Sequence, residues 1–128
     1  GTILGTHRGL YRYTIGQRRG LGISSSAPLY VVGLDQKNNN VIAGSNDDLL
    51  RKNIKVKDLH WLAGCPPVSG GKFTVRIRYS HRGGAATIIP HGHGGGEIIF
   101  DEPQRAVTPG QFAVVYSGAE LLGSGIIV

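Results

Sequence analysis

Phe73-Thr74-Val75-Arg76-Ile77-Arg78-Tyr79 alternates without a break. Side chains of an extended chain project to opposite faces in turn, so Phe73, Val75, Ile77 and Tyr79 share one face and Thr74, Arg76 and Arg78 the other. One face is suited to a core, and the other offers two guanidinium groups to solvent or to a ligand. The stretch predicts a half-buried β-strand. Lys55-Val56-Lys57-Asp58-Leu59-His60-Trp61 is a second alternating stretch.

Working outward, similar short apolar runs lie at residues 10–15, 29–34, 41–43, 54–62, 86–89, 97–100, 112–116 and 119–122. Turn signals separate them at intervals of roughly ten residues, the pattern of small barrels or sandwiches. Thr108-Pro109-Gly110-Gln111 places Pro and Gly where a type II turn needs a fixed negative and then a positive φ. Lys37-Asn38-Asn39-Asn40 reads as a hairpin loop, because Asn tolerates left-handed backbone. Only residues 46–53 have a helical look, and they are few. The expected class is therefore all-β. A break near Asn53 separates a loop-rich part, residues 1–53, from a strand-dense part, residues 54–128.

The charge balance constrains the partner. Fourteen Lys and Arg oppose eight Asp and Glu, for a formal net charge of +6, and the pI is about 9.8. Such an excess favours a polyanion, with RNA or DNA the commonest; charge retained for solubility is the plainer alternative. No apolar run approaches the ~18 residues of a membrane span, and residues 1–10 lack a signal-peptide core. The lone Cys65 allows no internal disulfide and suits a reducing, cytoplasmic setting. The absence of methionine and the strand-like close at Gly125-Ile126-Ile127-Val128 suggest a piece of a longer chain.

Tyr13-Thr14-Ile15-Gly16-Gln17-Arg18-Arg19-Gly20-Leu21-Gly22-Ile23 is the most unusual local string. It sets Gln17, Arg18 and Arg19 on a glycine-flanked bend, where guanidinium and backbone groups can approach a phosphate or base. A glycine loop with solvated arginines explains it equally well. Arg76, Arg78 and Arg82 form a basic stripe suited to sugar-phosphate contacts, and Tyr79 is placed to stack on a base; a solvated strand face with a core tyrosine is the alternative. His91 and His93 have a spacing that can bind metal, but no cysteine or carboxylate pattern accompanies them, and a glycine-rich surface loop is the simpler account. Asp101 and Glu102 are adjacent, so on a strand they face opposite ways and form no catalytic pair. Cys65 precedes Pro66-Pro67 with no motif around it that would activate a nucleophile. There is no GxxxxGK[ST] phosphate loop and no dinucleotide fingerprint.

The string at residues 13–23 resembles the YTIGQRKGLGI signature of bacterial tRNA-specific 2-thiouridylases, with Arg19 where the family often has Lys. The resemblance continues in order. Pro28-Leu29-Tyr30-Val31-Val32 is similar to the family's PWYVV, Asp58-Leu59-His60-Trp61 to its DLHW, and Arg78-Tyr79 to its RY pair. Residues 100–111 (FDEPQRAVTPGQ) resemble a further family segment closely. The resemblance implies the last two parts of the family's enzyme: a small mixed-β central domain, then a closed, six-stranded-type β-barrel resembling domain II of elongation factors. It implies a parent that uses ATP and Mg to activate C2 of the wobble uridine of tRNA and replaces the oxygen by persulfide sulfur from a donor protein. The family's phosphate loop and both its cysteines belong to an N-terminal catalytic domain, and Cys65 matches neither. No cofactor, metal or catalytic residue is therefore expected within these residues. What the resemblance carries over is tRNA contact, at Arg78, Tyr79 and Gln111; Gln17, Arg18, Arg19, Arg76 and Arg82 join them on charge and position. Where the family often has a second arginine after the tyrosine, this chain has Ser80, followed by His81 and Arg82. A free-standing RNA- or protein-binding adaptor, or a separate enzyme built on Cys65, are the competing expectations.

Overall fold

A computed structural model describes residues 2–23, 26–67, 71–77 and 82–128. They contain no α-helix and eight strands, so the all-β expectation holds. The chain divides into two compact units, Gly1–Leu50 and Arg51–Val128. Asn53, where the sequence suggests a junction, lies inside the strand Leu50–Trp61.

The first unit is built on an antiparallel hairpin of β1 (Tyr30–Asp35) and β2 (Asn40–Gly44). Its loop is the predicted Asn-rich one. Asn39 takes a φ of 56°, and the Asp35 carboxylate accepts bonds from the Asn38 backbone N–H at 3.2 Å and side-chain amide at 2.8 Å. Those bonds hold the Asp35 carboxyl below its ordinary range. Residues 10–15 are not the expected strand: Leu10–Arg12 is a single 3-10 turn. Gly9 sits at φ 127°, and its carbonyl accepts the Arg12 N–H at 3.1 Å. The backbone therefore curls on itself where an extended run would need a partner. The helical look of residues 46–53 likewise reduces to one turn, Asp47–Leu49, before strand begins at Leu50.

The second unit is a closed barrel in the order β3 (Leu50–Trp61), β6 (Gly96–Arg105), β5 (Gly84–Pro90), β4 (Phe73–Arg76), β7 (Phe112–Ser117), β8 (Glu120–Ile127). Closure leaves no row of backbone donors open to edge-to-edge pairing. The alternating stretch at residue 73 behaves as expected as far as it is described: Val75 and Ile77 are fully buried, Phe73 packs against the core, and Arg76 is exposed. Strand geometry ends at Arg76, however, and Arg78, Tyr79, Ser80 and His81 lie outside the described residues. Phe100, Ile98, Val115, Ala113, Ile88, Val56 and Trp61 complete the core, and no described polar side chain is buried.

Strict alternation along residues 55–61 would put Trp61 on the face opposite Val56. Both are nevertheless buried. A bulge in the β3–β8 pairing between Lys57 and His60 inserts the extra residue, and Asp58 there has a φ of 51°. One residue in left-handed geometry restores the phase. Asp58→Val should therefore lose about 1–2 kcal/mol of stability, the cost of a branched residue in that region, while Asp58→Gly should be nearly neutral. Urea midpoints of the two variants check this; equal losses would remove the backbone explanation.

Candidate nucleic-acid interface

The glycine-flanked string at residues 13–23 is a locked turn. The Gln17 N–H bonds to the Thr14 carbonyl at 3.0 Å, with Gly16 at φ 93° in the third position. Two bonds fasten the turn to β1, from the Gly16 N–H to the Val31 carbonyl at 2.7 Å and from the Val31 N–H to the Gln17 carbonyl at 2.8 Å. The Gln17 side chain closes the loop: its Oε1 accepts the Thr14 N–H at 3.0 Å and its Nε2 donates to the Arg19 carbonyl at 2.7 Å. Gln17 thus shapes the loop, and its half-buried amide turns inward. Arg18 and Arg19 are exposed. Arg18 borders a shallow polar groove with Gly20, Gly22 and Ser26. Because the N–H groups of Gly16 and Gln17 are engaged internally, they do not form the open nest of donors that cradles a nucleotide phosphate.

Elsewhere in this unit His7 is a strut. Its Nδ1 accepts the Gly9 N–H at 3.0 Å, which leaves the proton on Nε2 to donate to the Asn39 carbonyl at 2.7 Å. Its ring meets Tyr13 edge-on.

In the barrel, Arg76 leaves the outer face of β4 and its guanidinium lies 4.9 Å from the centre of the Tyr116 ring on β7. The contact fixes an exposed cation that would otherwise sample many rotamers. The predicted type II turn forms, with Gly110 at φ 92° and the Gln111 N–H 3.3 Å from the Thr108 carbonyl. It is tied to β8 by the Gly110 N–H to the Ile127 carbonyl at 2.8 Å and the Ile127 N–H to the Gln111 carbonyl at 2.9 Å. The exposed Gln111 side chain is presented at the start of β7. Arg76 pairs with Val114, so Gln111 stands three residues, about 10 Å, further along the sheet. Arg82 is exposed before β5.

Of the eight residues named from the sequence, Arg76 lies on β4 and Gln111 in the turn before the neighbouring β7, three residues out of step with the Arg76 partner Val114. Gln17, Arg18 and Arg19 belong to the other unit, and Arg78 and Tyr79 fall outside the described residues. Tyr116 was missed. Alternation within residues 112–116 places Phe112, Val114 and Tyr116 on one face, but only the β4–β7 pairing shows that Arg76 lies over it. His91 is 3.9 Å from the Glu97 carboxylate on the β5–β6 turn, Asp101 is paired with Lys72, and Cys65 is exposed in a loop.

Residues 51–127 match the family described as the aminomethyltransferase β-barrel domain, and residues 1–45 match that described as the tRNA methyl transferase PRC-barrel domain. A tRNA-specific 2-thiouridylase MnmA from Desulfotalea psychrophila is 51% identical over 128 residues, 100% of this chain and 37% of that protein. The chain belongs to the tRNA-specific 2-thiouridylase family. Other 2-thiouridylases resemble it over 99% of its length, at 44% identity in Solibacter usitatus and 45% in Halothermothrix orenii. It spans little more than a third of the length of these 2-thiouridylases.

Proposed function

We propose that this chain is the tRNA-binding and tRNA-positioning part of a cytoplasmic, ATP-dependent tRNA sulfurtransferase that thiolates C2 of the wobble uridine. The observation that carries the proposal is the match over the whole chain, at 51% identity, to a protein named as a tRNA-specific 2-thiouridylase. The net charge of +6 and the exposed Arg18, Arg19, Arg76 and Arg82 support it. A closed barrel is a rigid carrier for Arg76 and Arg82, and folded RNA is read mostly by shape and backbone. Holding the tRNA so that its anticodon reaches an active site elsewhere is catalysis by positioning. ATP, Mg and the persulfide donor are assigned to the remainder of the parent protein. In the glycine-rich loop the Gly16 and Gln17 N–H groups are engaged by Val31 and Thr14, and no chemical step is given to its residues.

Titration of the chain with a tRNA carrying a wobble uridine, at low and moderate salt, tests the proposal. Binding should weaken as salt rises, and Arg78→Ala or the pair Arg18→Ala and Arg19→Ala should lower the salt slope by about one for each phosphate left without its cation. Absence of binding at low salt would mean that these units brace their parent rather than hold tRNA. Binding indifferent to salt and to the arginines would favour an adaptor.

A further inference from the structure

The strand register assembles a surface that no single stretch of sequence displays. Lys57 on β3 pairs with Ile126 on β8, and Ile126 pairs with Phe112 on β7, so the three form one transverse row. The next row is His60, Ser124, Val114 and Arg76, crossing β3, β8, β7 and β4. The bulge at Asp58 keeps both Lys57 and His60 outward. Adjacent strands are about 4.8 Å apart and alternate residues about 7 Å apart, so the Lys57 backbone stands about 10 Å and the Arg76 backbone about 8 Å from that of Phe112, with the Arg76 guanidinium over Tyr116, on the side of Val114 away from Phe112. Phe112, the first residue of β7, is 61% exposed, an unusual degree of exposure for a large aromatic ring on a strand. The two rows contain Lys57, His60 and Arg76 and no carboxylate.

We propose that this face is a stacking platform for an unpaired base of the tRNA, with Phe112 as the stacking ring and Lys57 and Arg76 as flanking phosphate contacts. The inference rests on the tRNA-binding function above and extends it to residues outside the arginine motifs. An aromatic ring on a face that also carries cations suits a nucleotide, whose base offers a π-face and whose phosphate a negative charge. The two cations of the rows, Lys57 and Arg76, are the complement of a polyanion, with the exposed Asp58 at the bulge between the rows on β3, and the Arg76 guanidinium lies over the Tyr116 ring before any ligand arrives.

The test is tRNA binding by the 128-residue chain carrying Phe112→Ala, Phe112→Trp, Lys57→Ala or, as an exposed apolar control, Leu121→Ser. Phe112→Ala should weaken tRNA binding roughly 5- to 100-fold with the salt slope unchanged, because stacking releases no counterions. Phe112→Trp should retain binding, Lys57→Ala should lower the slope by about one, and Leu121→Ser should bind as the parent chain. A fully paired RNA duplex should not discriminate Phe112→Ala from the parent chain. If Phe112→Ala binds tRNA within roughly twofold of the parent, the platform is refuted while the tRNA-binding proposal stands. If the parent chain binds no tRNA at low salt, both fall. A dimer dispersed by Phe112→Ala would give the face to a second copy of the chain and overturn the platform.

Discussion

Phe100→Ala should cost the barrel about 3–5 kcal/mol, as truncation of a fully buried aromatic ring does when its surroundings cannot collapse. Phe100 is the largest of the side chains with no solvent exposure. It sits on β6 opposite Ala86 of β5, where small neighbours make room for it. A Cβ added at Gly84 would stand 3.2 Å from the Phe100 ring and 2.7 Å from the Gln104 amide. Six strands joined in a ring cannot close over the space by sliding one sheet toward another, so the cavity persists. For a unit of this size each kcal/mol lowers Tm by about 4–8 °C, so a drop of at least about 12 °C is expected. Thermal unfolding followed by near-ultraviolet circular dichroism, in which the buried Trp61 reports on the core, measures it. A drop of only a few degrees would mean that the barrel interior is more compliant than its packing implies.

The parts of this fold legible in the sequence are those governed by near neighbours. Alternation at residues 73–77 assigns Val75 and Ile77 to the core and Arg76 to the surface, and the Pro-Gly pair at residues 109–110 identifies a turn whose residues bond to one another. Long-range facts were hidden. Nothing in residues 112–116 says that β7 lies between β4 and β8, so the Tyr116 partner of Arg76 and the row from Lys57 to Phe112 emerge only from register. Glycine and proline misled where they are read as punctuation. The run at residues 97–100 continues through Pro103 to Arg105 as β6, and the run at residues 119–122 continues through Gly123 and Gly125 to Ile127 as β8. The candidate site divides the same way. Arg18 and Arg19 are exposed as their charge suggests, but Gln17, polar and followed by two arginines, is held inward by Thr14 and Arg19 because Gly16 lets the backbone turn there.

Gly123→Val should open the barrel at the β3–β8 seam. A Cβ at Gly123 would lie 2.8 Å from the Trp61 ring and closer still to the His60 carbonyl oxygen, a backbone atom that cannot swing aside. Gly125 is crowded in the same way, with Leu59 at 2.9 Å. Both glycines are buried on β8, so the bulky side of this seam is β3, whose Trp61 and Leu59 occupy the space β8 leaves vacant. Overpacking ordinarily costs about 1–3 kcal/mol. Here the clash is with a strand backbone, so Gly123→Val should reach the upper end of that range, with Gly123→Ala below it. Gly118→Ala separates this from the general cost of removing a glycine: Gly118 has a φ of 58° but nothing within 4 Å of an added Cβ, so strain alone should cost about 1 kcal/mol. Urea denaturation of the three variants gives the ranking, and equal midpoints for Gly123→Val and Gly118→Ala would show that close approach is not what the seam requires. The seam also bears on function, since the row His60, Ser124, Val114 and Arg76 crosses β8 one residue from Gly123. Splaying β3 from β8 separates the Lys57 and His60 edge from the Phe112 and Arg76 edge. Gly123→Val should therefore lose tRNA affinity in parallel with stability, whereas Gly118→Ala, at the far end of β7, should keep it.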